Sequence, residues 1–280
     1  MTLAQAPRRR APIRGVGRVA SLADEGGVNR RLVLALPRWP GSEPGQFVML
    51  SPGERGAAPR SDPLLPRPMA VYRTRAVDGA GDPALEILFK VHGRGTALLA
   101  DLEPGAEIGV VGPLGTPFPD PPPGARAVIA AGGTGIASVY QLAATLHARG
   151  ERVAVLLGAR SARDLMGEAD FAASGVPLAI ATEDGTRGVR GLVTDLLPDA
   201  LSGAQPAAVY ACGPTPMMAA VARIAAERGH VCWASLENPM ACGFGVCLGC
   251  AAPLRSGGFA LVCRDGPVLR ADAVAWESLR

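Results

Sequence analysis

The N-terminal part of the chain alternates short apolar runs with proline- and glycine-containing turns. The runs predict strands at residues 31–36, 46–50, 69–72, 85–91 and 107–111. One interruption, residues 97–102, has a helical pattern that ends at Pro104-Gly105. Many short strands separated by turns are typical of a barrel or a sandwich. We therefore expect residues 15–118 to form an antiparallel β-barrel with one short helix.

After a proline-rich linker at residues 117–124, the pattern changes to strands alternating with helices. It predicts strands at residues 126–131, 153–157, 178–181 and 207–211, and helices at residues 136–149 and 217–228. Such alternation favours a doubly wound parallel sheet. The predicted fold class is thus an α+β multidomain chain, with an α/β domain at residues 124–229 and a small C-terminal domain at residues 230–280.

The composition is consistent with several domains and argues against some classes of partner. A chain of 280 residues with 48% apolar residues can bury two or three cores. A net charge of +3 is too small to favour nucleic acid or an anionic membrane as a partner, and no apolar run approaches a membrane span. The basic residues 1–14 lack the apolar stretch of a signal peptide, so we expect a flexible tail and a cytoplasmic protein.

The most specific chemical signal is a set of four cysteines. They are spaced C-x4-C-x2-C-x12-C, as Cys242, Cys247, Cys250 and Cys263. This is the plant-type ligand spacing of a [2Fe–2S] cluster. Gly243, Gly245 and Gly249 would let the loop wrap the cluster and direct backbone N–H groups at sulfur. A structural zinc site and a disulfide are the alternatives, but zinc sites usually repeat C-x2-C pairs, and disulfides belong to oxidising compartments.

Glycine-rich turns follow two of the predicted strands in the α/β domain. Gly132-Gly133-Thr134-Gly135 comes after the first, and Cys212-Gly213-Pro214 after the last. Both could face one ligand crevice, although a glycine turn without a ligand is the alternative. In the barrel, Gly93-Arg94-Gly95-Thr96 could receive a pyrophosphate, and Arg67 a phosphate. No nucleophile motif or carboxylate pair stands out, which indicates that cofactors supply the chemistry.

Taken in order, these motifs resemble the ferredoxin-NADP reductase superfamily with a C-terminal [2Fe–2S] domain. Within it the chain is similar to the electron-transfer subunits of NAD-dependent (B-type) dihydroorotate dehydrogenase. The matching text from about residue 15 onward is Arg67-Pro-Met-Ala, Gly93-Arg-Gly-Thr, Gly112-Pro-Leu-Gly, Gly132-Gly-Thr-Gly, Thr182-Glu-Asp-Gly-Thr, Gly191-Leu-Val-Thr-Asp, Ala211-Cys-Gly-Pro, Met240-Ala-Cys-Gly and Cys263-Arg-Asp-Gly-Pro.

The resemblance implies three cofactors: FAD, NAD(H) and a [2Fe–2S] cluster. It assigns FAD binding to Arg67, Pro68, Met69, Ala70, Leu88, Phe89, Lys90, Gly95 and Thr96. It assigns the nicotinamide site to Gly132, Gly133, Thr134, Gly135, Cys212, Gly213 and Pro214, and the cluster to the four cysteines. The family usually has Ser or Thr at the position of Ala70, so flavin chemistry is expected to change there. Ser161 and Arg163 follow the second strand, where the 2′-phosphate of NADP could sit.

The implied function is that of an oxidoreductase subunit in pyrimidine biosynthesis. Electrons would pass between NAD(H), FAD and the cluster, to or from an FMN-containing dihydroorotate dehydrogenase catalytic subunit, with two copies of each chain. The chain alone is not expected to oxidise dihydroorotate. One alternative keeps the fold but serves a ferredoxin:NADP reductase or a cytosolic hydrogenase. Another is a zinc-stabilised nucleotide-binding module without a redox role.

Overall fold

The computed structural model describes residues 11–52, 65–76 and 83–279, with the backbone of residues 54–55 and 58–59. Its helices are α1 (Arg94–Ala100), α2 (Ile136–Ala148), α3 (Glu168–Ala173), α4 (Leu197–Ala200) and α5 (Thr215–Glu227). Its strands are β1 (Ile13–Asp24), β2 (Asn29–Ala35), β3 (Phe47–Ser51), β4 (Glu54–Arg55), β5 (Ala58–Pro59), β6 (Arg67–Ala70), β7 (Arg73–Ala76), β8 (Pro83–Lys90), β9 (Glu107–Leu114), β10 (Arg126–Gly132), β11 (Val153–Ala159), β12 (Leu178–Thr182), β13 (Val189–Arg190), β14 (Ala207–Cys212), β15 (Val231–Ser235), β16 (Ala251–Pro253), β17 (Phe259–Leu261) and β18 (Val268–Arg270).

The first sheet is curled and antiparallel, with the strand order β6-β3-β9-β1-β2-β8-β7. The predicted strands and the short helix α1 are present, and closure of this sheet into a barrel stays a prediction. Strand β1 was missed because its polar and apolar residues alternate, so that much of it is exposed and no apolar run marks it. It begins at Ile13, within the predicted tail of residues 1–14, of which residues 1–10 lie outside the described residues.

The second sheet is parallel over its first six strands, in the order β13-β12-β11-β10-β14-β15, and β18 adds an antiparallel edge. Strands β10, β11 and β14 are almost entirely buried, as expected of a parallel sheet covered on both faces. The predicted domain boundary at residues 229–230 stays a prediction, and the second sheet continues across it. Strand β15 lies beyond this boundary but pairs with β14 from Ala208↔Val231 to Cys212↔Ser235.

The two sheets share a core. Phe47, Met49 and Leu114 of the first sheet pack in one apolar cluster with strands of the second sheet and with two of the four motif cysteines, Cys250 and Cys263. Near the linker, the ring of Phe118 meets that of Tyr210 edge-on, with centroids 5.7 Å apart. The domains are therefore joined by buried contacts as well as by the chain. Among the described residues, no helix is long and apolar enough to cross a membrane.

Candidate functional site

A first cavity of about 530 Å³ opens at the carboxyl ends of β10, β11 and β14, where they approach the first sheet. The turn after β10 contributes Gly132, Gly133 and Thr134, and the turn after β14 contributes Pro214. Ligands of open α/β sheets bind at these strand ends. Four of the residues predicted for the nicotinamide site therefore line one cavity.

The other three predicted residues, Gly135, Cys212 and Gly213, lie behind the cavity wall, where the two turns touch. A Cβ on Gly135 would lie 2.3 Å from the carbonyl carbon of Cys212, and Gly213 has a φ of +150°. No side chain fits at Gly135, because the backbones of the two turns are in direct contact. These residues shape the cavity without lining it.

A second cavity of about 250 Å³ lies against the first sheet. Seven of the nine residues predicted for FAD line it: Pro68, Met69, Ala70, Leu88, Phe89, Lys90 and Thr96. They come from β6, β8 and α1, which are far apart in sequence. The two cavities are adjacent, since Lys90, Thr134 and Glu237 line both.

The remaining two predicted FAD residues, Arg67 and Gly95, pack against each other beside this cavity. A Cβ on Gly95 would lie 2.7 Å from Cδ of Arg67. The Arg67 guanidinium donates one hydrogen bond to the carbonyl of Leu65 (3.1 Å), but its buried Nε has no hydrogen-bond partner in the described part of the chain. A buried guanidinium N–H without an acceptor fits a phosphate ligand.

Glu237 was not identified from the sequence. Thr134 donates a hydrogen bond from its hydroxyl to Glu237 Oε2 (3.3 Å), and Cys212 Sγ lies 3.9 Å from Oε1. The side chain is exposed to the space of the two cavities, yet desolvation by the surrounding protein raises the pKa of its carboxyl. Burial, and secondarily the charge of Glu237, raise the pKa of Cys212 to about 12. The sequence signal that could have identified Glu237 as a site residue is its position just beyond the carboxyl end of β15, since ligands bind at such strand ends.

The four predicted cysteines lie in what we call the cysteine segment, residues 236–267, which contains the short hairpin β16–β17. Cys250 and Cys263 are buried, Cys242 is partly buried and Cys247 is exposed. Backbone N–H groups point at the sulfurs: that of Gly245 donates to Cys263 Sγ at 3.1 Å. Gly243 and Gly245 have φ near +80°, as the tight loop requires.

The sulfurs form two pairs. Cys250 Sγ and Cys263 Sγ are 3.2 Å apart, and interaction with the side chain of Cys247 lowers the pKa of Cys242. No three His, Cys, Asp or Glu side chains among the described residues converge as ligands of a single metal ion. Two thiolate pairs fit the two irons of a [2Fe–2S] cluster. The donor set therefore fits an iron–sulfur cluster.

Hydrogen bonds also favour the thiolate form of one predicted ligand, Cys242. Burial raises the pKa of Cys242, but hydrogen bonds from three backbone N–H groups of its loop outweigh this effect and lower the pKa to about 6. The thiolate is the form that binds metal. Burial and the neighbouring Cys250 raise the pKa of Cys263 to about 12, so as a metal ligand this thiol would have to lose its proton.

Two family models match this architecture. Residues 129–223 match the oxidoreductase NAD-binding domain, and residues 237–275 match the iron-sulfur cluster binding domain of dihydroorotate dehydrogenase B. The chain is also similar to a solved structure described as that of the NADH-dependent reduced ferredoxin-NADP oxidoreductase. That likeness has a TM-score of 0.81 at 28% identity, and it covers 94% of this chain and 91% of the other.

Two curated relatives share the name "dihydroorotate dehydrogenase B (NAD(+)), electron transfer subunit". The protein of Geobacillus thermodenitrificans is 39% identical over 83% of this chain and 87% of its own length. That of Desulforamulus reducens is 36% identical over 84% of this chain and 87% of its own length. The chain therefore belongs to the family of electron transfer subunits of NAD-dependent dihydroorotate dehydrogenase B.

Proposed function

We propose that this chain carries electrons between NAD(H) in the first cavity and a catalytic subunit that binds near the cysteine segment. FAD in the second cavity and a [2Fe–2S] cluster in the cysteine segment would lie between them. The observation that supports this order is the contact between the sites. The two cavities share Lys90, Thr134 and Glu237, and Asn238 and Met240 of the cysteine segment line the second cavity.

When bound, FAD exchanges electron pairs with nicotinamide and single electrons with the cluster. The contribution of the protein is to hold these groups in sequence. Arg67 would neutralise the pyrophosphate through Nε, which has no hydrogen-bond partner among the described residues. Helix α1 packs so close to Arg67 that a Cβ at Gly95 would displace this side chain. The paired turns at Gly135 and Cys212 would keep the floor of the first cavity rigid.

The methyl side chain of Ala70 lines the second cavity where the family usually has a hydroxyl. It cannot donate a hydrogen bond to the flavin ring. FAD should still bind, because Arg67, Gly95 and the backbone of β6 do not depend on that hydroxyl. The rate of flavin reduction, rather than FAD affinity, is therefore the property that Ala70 would change.

Partner binding is proposed for the loop around the cluster. Phe244, Val246 and Leu248 are 52%, 80% and 61% exposed, and they surround the exposed Cys247. Contiguous exposed apolar side chains mark interaction sites. An FMN-containing dihydroorotate dehydrogenase catalytic subunit bound here would lie next to the cluster. We also propose that the assembly contains two copies of each chain and is located in the cytoplasm.

The alternative keeps the same sites and changes the partner to that of a ferredoxin:NADP reductase. The similarity to the oxidoreductase structure is its support, at 28% identity. The dihydroorotate dehydrogenase relatives are 36–39% identical over a comparable share of the chain, which favours the first proposal.

The test is an anaerobic visible spectrum of the purified chain, titrated with NADH and, in a second sample, with NADPH. We expect NADH to bleach both flavin and cluster absorbance, and dihydroorotate to bleach neither until a catalytic subunit is added. The variant Cys247→Ser should keep the flavin response and lose the cluster response. A colourless protein, zinc in the cysteine segment, or turnover of dihydroorotate by the isolated chain would contradict the proposal.

A further inference from the structure

A cluster of charged side chains joins the two domains on the side of the molecule where α3 meets the first sheet. We call it the ion cluster; its members are Glu25, Arg31, Arg73, Arg75, Glu86 and Asp170. Three guanidinium groups balance three carboxylates. None of the six belongs to a motif of the sequence analysis, and nothing proposed above uses them.

The centre of the ion cluster on the first sheet is Glu86 of β8, whose side chain is completely buried. Arg73 binds it with two hydrogen bonds, of 2.9 and 3.0 Å, and Arg75 Nε lies 3.0 Å from Oε2. Arg31 of β2 pairs with Glu86 and with Glu25. A buried carboxylate surrounded in this way is stable only while its cationic partners remain.

Asp170 of α3 is the one member that comes from the second domain. It accepts hydrogen bonds from Arg31 Nη2 (2.7 Å), Arg73 Nη1 (3.0 Å) and the hydroxyl of Tyr72 (2.9 Å). Burial raises the pKa of the Asp170 carboxyl, but the hydrogen bonds from Arg31 and Tyr72 outweigh this and keep it below its usual range. Three donors from the first domain, on β2, on β7 and at Tyr72 just before β7, thus converge on one carboxylate of α3.

An aromatic contact reinforces the same junction. The buried ring of Tyr72 stacks on Tyr140 of α2, with centroids 4.4 Å apart and an interplanar angle of 23°. Tyr140 in turn meets Phe171 edge-on at 5.0 Å. The fit is tight, since a Cβ on Gly167, just before α3, would lie 2.5 Å from the Tyr72 hydroxyl oxygen.

The junction lies directly behind the two cavities. Glu86 is on the same strand as Leu88, Phe89 and Lys90, which line the second cavity. The segment leading into α3 contributes Asp164 and Met166 to the first cavity. Any rotation of α3 against β8 would therefore change the distance between the two cavities.

We propose that Asp170 is a positioning residue that holds the second domain against the first sheet through the ion cluster. This contact fixes the relative placement of the two cavities that electron transfer between them requires. Without the carboxylate, Arg31 and Arg73 lose an anionic partner in a partly buried site. The interface then carries an excess of positive charge and opens. The kinetic part of this inference rests on the proposed function; the structural part does not.

The test compares three variants of the full-length, FAD-loaded chain. Asp170→Asn removes the interdomain charge, and Tyr72→Phe removes one donor to Asp170 but keeps the ring that stacks on Tyr140. Asp272→Asn is the matched control, because Asp272 forms an exposed pair with Arg270 of the same domain (2.5 Å). Hydrogen exchange of backbone amides reports the junction, and rapid mixing with NADH reports flavin reduction per folded molecule.

We expect Asp170→Asn to speed exchange in residues 163–174 and 29–36 about tenfold, and to slow flavin reduction at saturating NADH by a similar factor. Tyr72→Phe should change both in the same direction but less, and Asp272→Asn should change neither. Unchanged exchange in both junction variants would overturn the holding role of Asp170. Faster exchange with unchanged flavin reduction would overturn the positioning role. If NADH fails to reduce the flavin of the unmodified chain, the proposed function fails, while the exchange data still decide whether Asp170 holds the domains together.

Discussion

The hydroxyl of Thr134 donates a hydrogen bond to the carboxylate of Glu237 at 3.3 Å. This bond joins the turn after β10 to the first residues of the cysteine segment, across the border between the two cavities. The carboxylate thus stands where the nucleotide, the flavin and the route to the cluster would meet.

Replacing Glu237 with Gln should change how stability depends on pH. The pKa of Glu237 is raised in the folded chain, so folding favours its protonated form. This contribution to stability is fully present below 4.5, the pKa in the unfolded chain, and is lost as the pH rises through the higher pKa of the folded chain. The melting temperature of the unmodified chain, relative to that of Glu237→Gln, should therefore fall as the pH rises above 4.5. Melting curves of both proteins at several pH values above 4.5 check this, and a constant difference would contradict it.

Gly95→Ala should weaken FAD binding while the fold persists. The added methyl group would displace Arg67, whose Cδ is 2.7 Å from the ideal Cβ position. Helix α1 itself would gain from alanine. We expect the dissociation constant for FAD, measured by flavin fluorescence, to rise about tenfold or more. The control is Gly15→Ala, where the new Cβ would make an ordinary 3.5 Å contact with Leu36; equal affinities in the two variants would disprove the role of Gly95.

Gly135→Ala should destabilise the second domain. Its Cβ would overlap the backbone of Cys212, so one of the two turns has to move, at a cost of about 3 kcal/mol in the free energy of unfolding. In Gly133→Ala the new Cβ would have no atom within 4 Å, so only the φ of +56° disfavours alanine. We expect this strain to lower the free energy of unfolding by about 1–2 kcal/mol. Urea unfolding followed by tryptophan fluorescence measures both. A larger effect at Gly133 would be evidence against the turn contact.

Cys247→Ser should remove the cluster without unfolding the chain, because Cys247 is exposed and contributes nothing to the core. Iron analysis should fall from about two atoms per chain to well below one. Cys232→Ser alters a buried thiol outside the cysteine segment and should leave the iron content unchanged. Retention of both irons in Cys247→Ser would exclude this residue as a ligand.

Val246→Asp should weaken binding of the catalytic subunit by roughly tenfold or more, since it places a charge on the most exposed side chain around the cluster. Val189→Asp is the control, because Val189 is 53% exposed on the edge strand β13, outside the cysteine segment. Calorimetric titration with the purified partner compares them. Equal affinities of the two variants would remove this loop from the interface.

The sequence was informative where function depends on local spacing. Four cysteines in one segment, and glycines directly after β10, mark a cluster loop and a strand-to-helix turn without any knowledge of the fold. Residues whose roles depend on distant partners gave no such signal. Asp170 is separated from Arg31 by 139 positions, and Glu237 from Thr134 by 103, so only the folded chain brings them together.

Strand β18 returns to pair with β15, through Ser235↔Val268 and Trp233↔Arg270, so both ends of the cysteine segment are held by one sheet. The chain leaves this sheet after β15 and returns to it at β18, so the cysteine segment is connected to the sheet at both ends. Cutting the chain after Ser235 would therefore leave β15 as an unprotected edge strand, prone to pairing with other chains. For this reason, a version of the protein without its cluster is better made by changing cysteines than by truncation.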